Sequence, residues 1–135
     1  MKAVAYSINN FEKELLAKAN QKKHDITVIS NALGPETATY AEGKDAVIVF
    51  NDNDISGEVI KKLANQGIKC LIVCSASVNH INYNILSQQH IAFIHIPVSG
   101  SGIFTDRENL QAIAFQIIQN LDNWQNIARP VPVPR

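Results

Sequence analysis

Two apolar runs on either side of an amphipathic segment constrain the fold of this chain more than any other feature. They are Ala46–Phe50 (AVIVF) and Lys69–Cys74 (KCLIVC). Runs without polar alternation are typical of strands that are covered on both faces in a parallel sheet. Between them, Ser56 is placed to cap a helix that Gly67 ends. Parallel strands joined through a helix predict an α/β fold.

The same alternation of strand and helix extends over the rest of the chain. Further strands are predicted at Lys2–Ser7, Asp25–Ser30 and Ala92–Ile96. A first helix is predicted after Asn9 or Asn10, either of which is able to cap it, with Glu12 facing water. Short helices are predicted over Pro35–Ala41 and Asn79–Gln89. The last helix is long and is capped by Thr105 or Asp106. We therefore predict a flavodoxin-like, doubly wound, parallel five-stranded sheet of order 2-1-3-4-5, in three α/β/α layers.

Length and composition limit the chain to one domain. It has 135 residues, of which 46% are hydrophobic, and we assign residues 1–126 to the domain. Residues 127–135 (IARPVPVPR) carry Pro at alternate positions, so an extended tail is predicted there.

Charge and cysteine content exclude several classes of partner and site. Twelve basic residues balance twelve acidic ones, so neither nucleic acid nor an anionic membrane surface is expected as a partner. No apolar run approaches the roughly 20 residues that cross a bilayer. Cys70 and Cys74 have the same strand parity and are too far apart to bridge. Buried, reduced thiols and a cytoplasmic location are the expectation.

The predicted sheet places the candidate site at the carboxyl ends of its strands, where ligands bind in folds of this kind. The loops at that edge are Ser7–Asn10, Asn51–Asp54, Ser75–His80 and Pro97–Gly102.

Two common uses of the fold fail on these loops. The first loop has no glycine to bring amides against a flavin phosphate. Asn9, Asn10 and Asn51 stand where a phosphoryl-accepting receiver domain needs carboxylates.

Gly100-Ser101-Gly102 begins only a partial dinucleotide fingerprint, and it precedes the last helix rather than following the first strand.

No metal site is predicted. Asn51–Asp54 resembles half of a calcium loop but lacks its glycine and its final glutamate. None of the four histidines has partners at metal-ligand spacing. His24, His90 and His95 are interpreted as structural, whereas His80 is a candidate ligand contact.

Several segments, taken in order, resemble one known family. They are Tyr6-Ser7 at the end of the first strand, Asp45–Phe50 followed by Asn51-Asp52, Leu71–Val73 leading to a turn at Ala76, Asn79-His80-Ile81-Asn82, and a strand that ends in Ile96-Pro97. At this spacing the chain resembles the substrate domain of D-isomer-specific 2-hydroxyacid dehydrogenases, and the D-lactate dehydrogenases most of all.

The resemblance implies a carboxylate-binding loop after the fourth strand. Backbone amides of Ser75, Ala76, Ser77 and Val78 would hold a small 2-hydroxy or 2-oxo acid, with Asn79 and His80 nearby. Two departures stand out: Ala76-Ser77 replaces the usual Ala-Gly, and Ser99 stands where D-lactate dehydrogenases have a tyrosine.

The family's dinucleotide domain, with its catalytic Arg, His and Glu, has no counterpart in these 135 residues. The resemblance therefore implies no cofactor and no catalytic residue in this chain, and NAD only if a partner chain supplies that domain. Two functions remain open. The chain is either a stand-alone, non-catalytic domain that binds a small carboxylate or a protein partner, or one subunit of a split NAD-dependent dehydrogenase. Apolar residues on the last helix, Phe115 and the preceding Ile103-Phe104 among them, indicate a homodimer.

Overall fold

Strands rich in small and β-branched residues form a five-stranded sheet at the centre of the molecule. A computed structural model describes residues 1–50, 55–75, 81–97 and 107–128, without the side chains of Phe11 and of residues 107–110 and 125–128. The strands are β1 (Lys2–Tyr6), β2 (Asp25–Val28), β3 (Ala46–Phe50), β4 (Cys70–Ser75) and β5 (Ala92–Pro97). All pairings are parallel and the order is β2-β1-β3-β4-β5. This confirms the predicted topology.

Helices cover both faces of the sheet. They are α1 (Asn10–Asn20), α2 (Gly57–Asn65), α3 (Tyr83–Gln88) and α4 (Arg107–Ala128), with a short 3-10 helix at Thr37–Ala41. Asn9 and Ser56 cap α1 and α2 through their side chains, as their sequence positions predict. α3 packs closely on the first turn of α2 because Gly57 has no Cβ, which would lie 2.5 Å from Cδ1 of Ile85.

Strand parity divides the core into two clusters. On one face α1 and α4 cover small and branched side chains that include Ala5, Ile48 and Ile72. On the other face α2, α3 and the 3-10 helix cover Val49, Leu71 and their neighbours. Every residue of β3 and β4 is buried. Burial on both faces is the reason that these strands lack polar alternation.

A group of polar contacts fastens the amino end of the sheet to α4. The side chain of His24, which is 1% exposed, donates from Nε2 to Oδ1 of Asp122 over 2.7 Å. The loop that holds His24 is closed by Asn20, whose amide donates to the His24 carbonyl and accepts from the His24 N–H. His24 is thus structural, as expected. It directly precedes β2 and bonds to Asp122 of α4, 98 residues later in the chain.

Three predicted elements have different bounds. β1 ends at Tyr6 because Ser7 has a φ of 61°, which no strand residue adopts. The helix expected over Pro35–Ala41 is only a 3-10 helix, and the hydroxyl of Thr37 bonds the turn before it. The helix expected from Asn79 begins at Tyr83, since Asn82 accepts from the Ile85 N–H and is the true cap.

The last residues of β2 and α4 also differ from those predicted. β2 stops at Val28 rather than Ser30. α4 continues through Ile127 to Ala128, so the extended tail predicted from residue 127 is wrong for its first two residues. Pro130 disfavours helical backbone only at the residue before it, which permits a helix as far as Ala128. The remainder of that tail, and the predicted caps Thr105 and Asp106, lie outside the described residues.

The described part of the chain contains neither a helix that could span a membrane nor a disulfide bond. No helix there combines the length and the apolar character that a bilayer requires. Cys70 and Cys74 are buried, free, and on the same face of the sheet, as the sequence predicts.

The contact between His24 and Asp122 gives a test of how strongly α4 is fastened. Asp122→Ala leaves a buried ring N–H without its acceptor, so we expect the free energy of unfolding to fall by about 1–3 kcal/mol. Urea denaturation followed by circular dichroism measures it. The matched control is Asn123→Ala, an exposed neighbour on the same helix, which should change stability by less than about 0.5 kcal/mol. Equal losses in both variants would contradict the assignment.

Candidate functional site

Parallel pairing brings the carboxyl ends of β1, β3, β4 and β5 to one edge of the sheet. Those strands end at Tyr6, Phe50, Ser75 and Pro97. Of the predicted carboxylate loop, the structure describes Ser75 only; Ala76, Ser77, Val78, Asn79 and His80 lie outside the described residues. The same holds for Asn51–Asp54 and for residues 98–102. The described edge therefore shows where the loop begins and what holds it there.

Ser75 is the last residue of β4 and is buried, with 5% of its surface exposed. Its carbonyl accepts a hydrogen bond of 2.8 Å from Nε2 of His95. His95 lies on β5 opposite Val73, so its side chain reaches two residues along the neighbouring strand. A side chain of β5 thus fixes the direction in which the chain leaves β4. The sequence predicts a structural role for His95 but does not predict this bond.

The turn between β1 and α1, another predicted ligand loop, has its amides occupied. The Ser7 N–H donates to the Asn31 carbonyl over 2.8 Å, and the Ile8 N–H to Ile29 over 3.1 Å. Asn9 and Glu12 form a reciprocal capping box with bonds of 2.9 and 2.8 Å. Because these donors already have partners, this turn offers an anion fewer free amides than its sequence suggested.

Glu12 differs most from its predicted environment. It was expected to face water, but only 4% of it is exposed, because the capping box turns its side chain back over the β1–α1 turn. Burial raises the pKa of its carboxyl group, and the hydrogen bond from the Asn9 N–H opposes that shift in part. The pattern Asn9-x-x-Glu12 was the signal in the sequence that could have located it.

Three further titratable groups are buried: Cys74 and Tyr6 near this edge, and Cys70 at the opposite end of β4. Burial raises the pKa of Cys70 to about 12. Burial and, secondarily, the charge of Glu12 raise the pKa of Cys74 further. The Tyr6 hydroxyl donates to the Thr37 carbonyl over 2.7 Å, and burial raises its pKa to about 12. A neutral thiol or phenol is a poorer nucleophile and a poorer base than its anion.

Metal-binding geometry is absent from the described side chains, where no three His, Cys, Asp or Glu residues converge. Two cavities lined by described residues lie away from the carboxyl edge. One, of about 130 Å³, lies between α1 and β2. The other, of about 350 Å³, is an open depression between the 3-10 helix and α2. Neither of these two cavities coincides with the strand ends that carry the candidate site.

Comparison with known proteins assigns the family. The family model for the catalytic domain of D-isomer specific 2-hydroxyacid dehydrogenases matches residues 3–130. The chain belongs to this family. Its similarity to the catalytic domain of these dehydrogenases includes the strand ends described above, and it confirms the resemblance that the sequence segments indicate.

Individual relatives agree with the assignment. A D-lactate dehydrogenase of Leuconostoc mesenteroides is 28% identical over 113 residues, covering 82% of this chain and 34% of its own length. A 2-hydroxyacid dehydrogenase homolog of Zymomonas mobilis is 26% identical over 98 residues, covering 72% of this chain and 30% of its own length. The chain thus spans about a third of the length of the curated dehydrogenases that it matches.

Solved structures of dehydrogenases share the fold. The apo-structure of D-lactate dehydrogenase from Escherichia coli superposes with a TM-score of 0.68 at 24% identity, over 72% of this chain and 31% of that one. A D-lactate dehydrogenase of Treponema pallidum superposes with a TM-score of 0.66 at 17% identity, over 99% of this chain and 42% of that one.

The buried carboxyl group of Glu12 gives a pH-dependent prediction. A folded pKa above the ordinary value of 4.5 means that the folded chain holds this proton more tightly than the unfolded chain does. The resulting contribution to stability is full below that value and is lost as the pH rises through the folded pKa. Glu12→Gln keeps an oxygen for the capping box but cannot ionise. We expect the variant to gain stability relative to the wild type between about pH 4 and about pH 7.

Urea denaturation at both pH values measures this difference. Glu14→Gln, which alters an exposed carboxylate on the same helix, is the control and should follow the wild type. A difference between Glu12→Gln and the wild type that is constant with pH, or that shrinks as the pH rises, would be evidence against a raised pKa.

Proposed function

We propose that this member of the 2-hydroxyacid dehydrogenase family binds the carboxylate of a small 2-oxo or 2-hydroxy acid with the loop Ser75–His80. The observation that carries the proposal is the bond from His95 to the Ser75 carbonyl at the carboxyl end of β4. It fixes the first residue of the loop at the edge where ligands of parallel α/β sheets bind.

The chemistry of the loop suits a carboxylate. Consecutive backbone N–H groups in a tight turn form a concave donor surface for an anion, and they carry no charge that burial would penalise. Asn79 and His80 add side-chain donors within the same segment. Reduced cysteines, and relatives that are dehydrogenases of small acids, fit a cytoplasmic location for this binding.

We further propose that these 135 residues bind the acid without oxidising or reducing it. Hydride transfer needs a nicotinamide held against the substrate carbon. The sequence carries no complete dinucleotide fingerprint after a strand. Two of the described titratable groups at this edge of the sheet, Cys74 and Tyr6, are buried, and burial raises their pKa values.

A split dehydrogenase is the second candidate. Its support is the extent of the match, since about two thirds of the Leuconostoc enzyme's length has no counterpart in this chain. In that arrangement a separate polypeptide supplies NAD and the catalytic groups, and this chain supplies the carboxylate loop. Mixing the chain with a lone dinucleotide-binding domain and following NADH oxidation by pyruvate distinguishes the two candidates.

Binding at the loop is tested by titrating the ¹⁵N-labelled chain with pyruvate and D-lactate. We expect saturable shifts of the amide signals of residues 75–80. His80→Ala should weaken binding because it removes a donor. Ser77→Gly restores the family's Ala-Gly pair and should tighten binding about 2–5-fold, because glycine adopts a positive φ without a Cβ penalty.

The control is His90→Asn, which alters an exposed histidine in the left-handed region that asparagine tolerates. It should leave the affinity unchanged. If no loop amide responds to either acid at tens of millimolar, the binding proposal is wrong. Turnover of pyruvate by the pure chain with NADH would instead contradict the non-catalytic proposal.

We also propose a homodimer formed through α4, whose Phe115 is 57% exposed. The other apolar residues invoked for this contact, Ile103 and Phe104, lie outside the described residues. Light scattering at tens of micromolar should give a dimer mass for the wild type and a larger monomer fraction for Phe115→Glu. Gln88→Glu adds the same charge at an exposed position of α3, on the other face of the sheet, and should remain dimeric. A monomer mass for the wild type would overturn the proposal.

A further inference from the structure

The outer edge of β2 carries backbone groups that β1 does not use. The N–H groups of Asp25 and Ile29 donate to carbonyls of the first strand, at Met1 and Ala5. Because backbone groups alternate along a strand, the N–H and C=O of Ile26 and Val28 point the other way. Among the described strands none lies beyond β2. Edges of this kind pair readily with an additional strand.

An apolar cavity runs beside this edge, on the face that α1 covers. It has a volume of about 130 Å³ and is lined by Lys13, Leu16, Ala17, Asn20, Ile26 and Val28. The side chains of Ile26 and Val28 are only partly buried. A strand added at the edge would thus be able to cover apolar surface as well as form hydrogen bonds.

The chain contains a segment whose pattern suits this edge. Residues 130–134 read PVPVP, so in an extended conformation all three prolines direct their backbone to one side. Val131 and Val133 direct N–H and C=O groups to the other side. In that conformation the segment is able to pair on one side only, because proline has no N–H to donate.

We propose that residues 130–134 of this chain bind the outer edge of β2 as a sixth, parallel strand. Val131 and Val133 pair with the outward N–H and C=O groups of Ile26 and Val28. Residues in register across a parallel pair point to the same face, which places Val131 or Val133 opposite Thr27.

The same register places proline rings opposite Ile26 and Val28. On that face the rings cover the apolar cavity between α1 and β2, so the parity that satisfies the hydrogen bonds also satisfies the packing. The prolines' backbone faces outward and ends the sheet, which is a recurrent way of protecting an edge from further strands.

The course of α4 makes this chain's own tail the preferred occupant. Asp122 contacts Lys23 and His24, the residues that lead directly into β2. α4 ends six residues later at Ala128, about 9 Å further along its axis. Val131 and Val133 lie three and five residues beyond Ala128, so an extended tail carries them up to about 10 and 17 Å from the end of α4, against the roughly 13 Å that the four residues of β2 span. A tail that starts near the beginning of β2 runs parallel to it.

Hydrogen exchange of the full chain tests the proposal, with NMR detection of single amides. In the wild type we expect the Ile26 and Val28 amides to exchange at least about tenfold more slowly than in an unstructured peptide. The double substitution Val131→Pro with Val133→Pro removes both inward donors. It should raise exchange at those two amides about tenfold while leaving Asp25 and Ile29, which bond to β1, within about twofold.

The matched control replaces the same valines by threonine, which keeps the N–H groups and the β-branched shape and should keep the protection. Short Hα–HN contacts between residues 26–28 and 131–133 provide an independent signal. Unprotected Ile26 and Val28 amides in the wild type would overturn the proposal. Protection that grows with protein concentration would also overturn it, since a second copy would then occupy the edge.

Discussion

The burial of β3 and β4 on both faces is the constraint on which the rest of the structure depends. Every residue of both strands is buried, so neither is stable without a helical layer above and below. Removing a branched side chain of such strands from water contributes about 1.5–3 kcal/mol relative to exposure. The order of the strands, the placement of α1 with α4 on one face, and the choice of edge strands all follow from covering these two.

The two ends of the sheet are held differently. At the amino end, Asn20, His24 and Asp122 form bonds between side chains and backbone that join the α1–β2 loop to α4. At the carboxyl end, the described bonds between elements include His95 to Ser75, Tyr6 to Thr37, and the backbone bonds from the β1–α1 turn to the segment after β2. The bond to α4 thus lies at the edge opposite the one from which the proposed ligand loop extends.

Much of the fold was predictable because it depends on local patterns that survive in any context. The runs AVIVF and KCLIVC, the caps Asn9 and Ser56, and the length of the crossovers specify a doubly wound sheet before any tertiary contact is known. Glu12 was not predicted correctly, because helical periodicity assigns it to the solvent side while the capping box turns it inward. The bond from His95 to Ser75 depends on the register between β4 and β5, which helix and strand patterns do not determine. The helix predicted over Pro35–Ala41 is a 3-10 helix for a third reason. The Thr37 hydroxyl forms hydrogen bonds with the backbone of the preceding turn, and a helical pattern does not reveal this side-chain effect.

The two cysteines are placed to report the separation of α1 and α4 from the sheet. Both thiols lie on the covered face of β4, and burial raises their pKa values, so the reactive thiolate is scarce as long as the core stays closed. A maleimide or disulfide reagent therefore labels this chain only at the pace at which the layer of α1 and α4 separates from the sheet. The alkylation rate of the native protein, without any introduced probe, becomes a measure of how often its most buried strand is exposed.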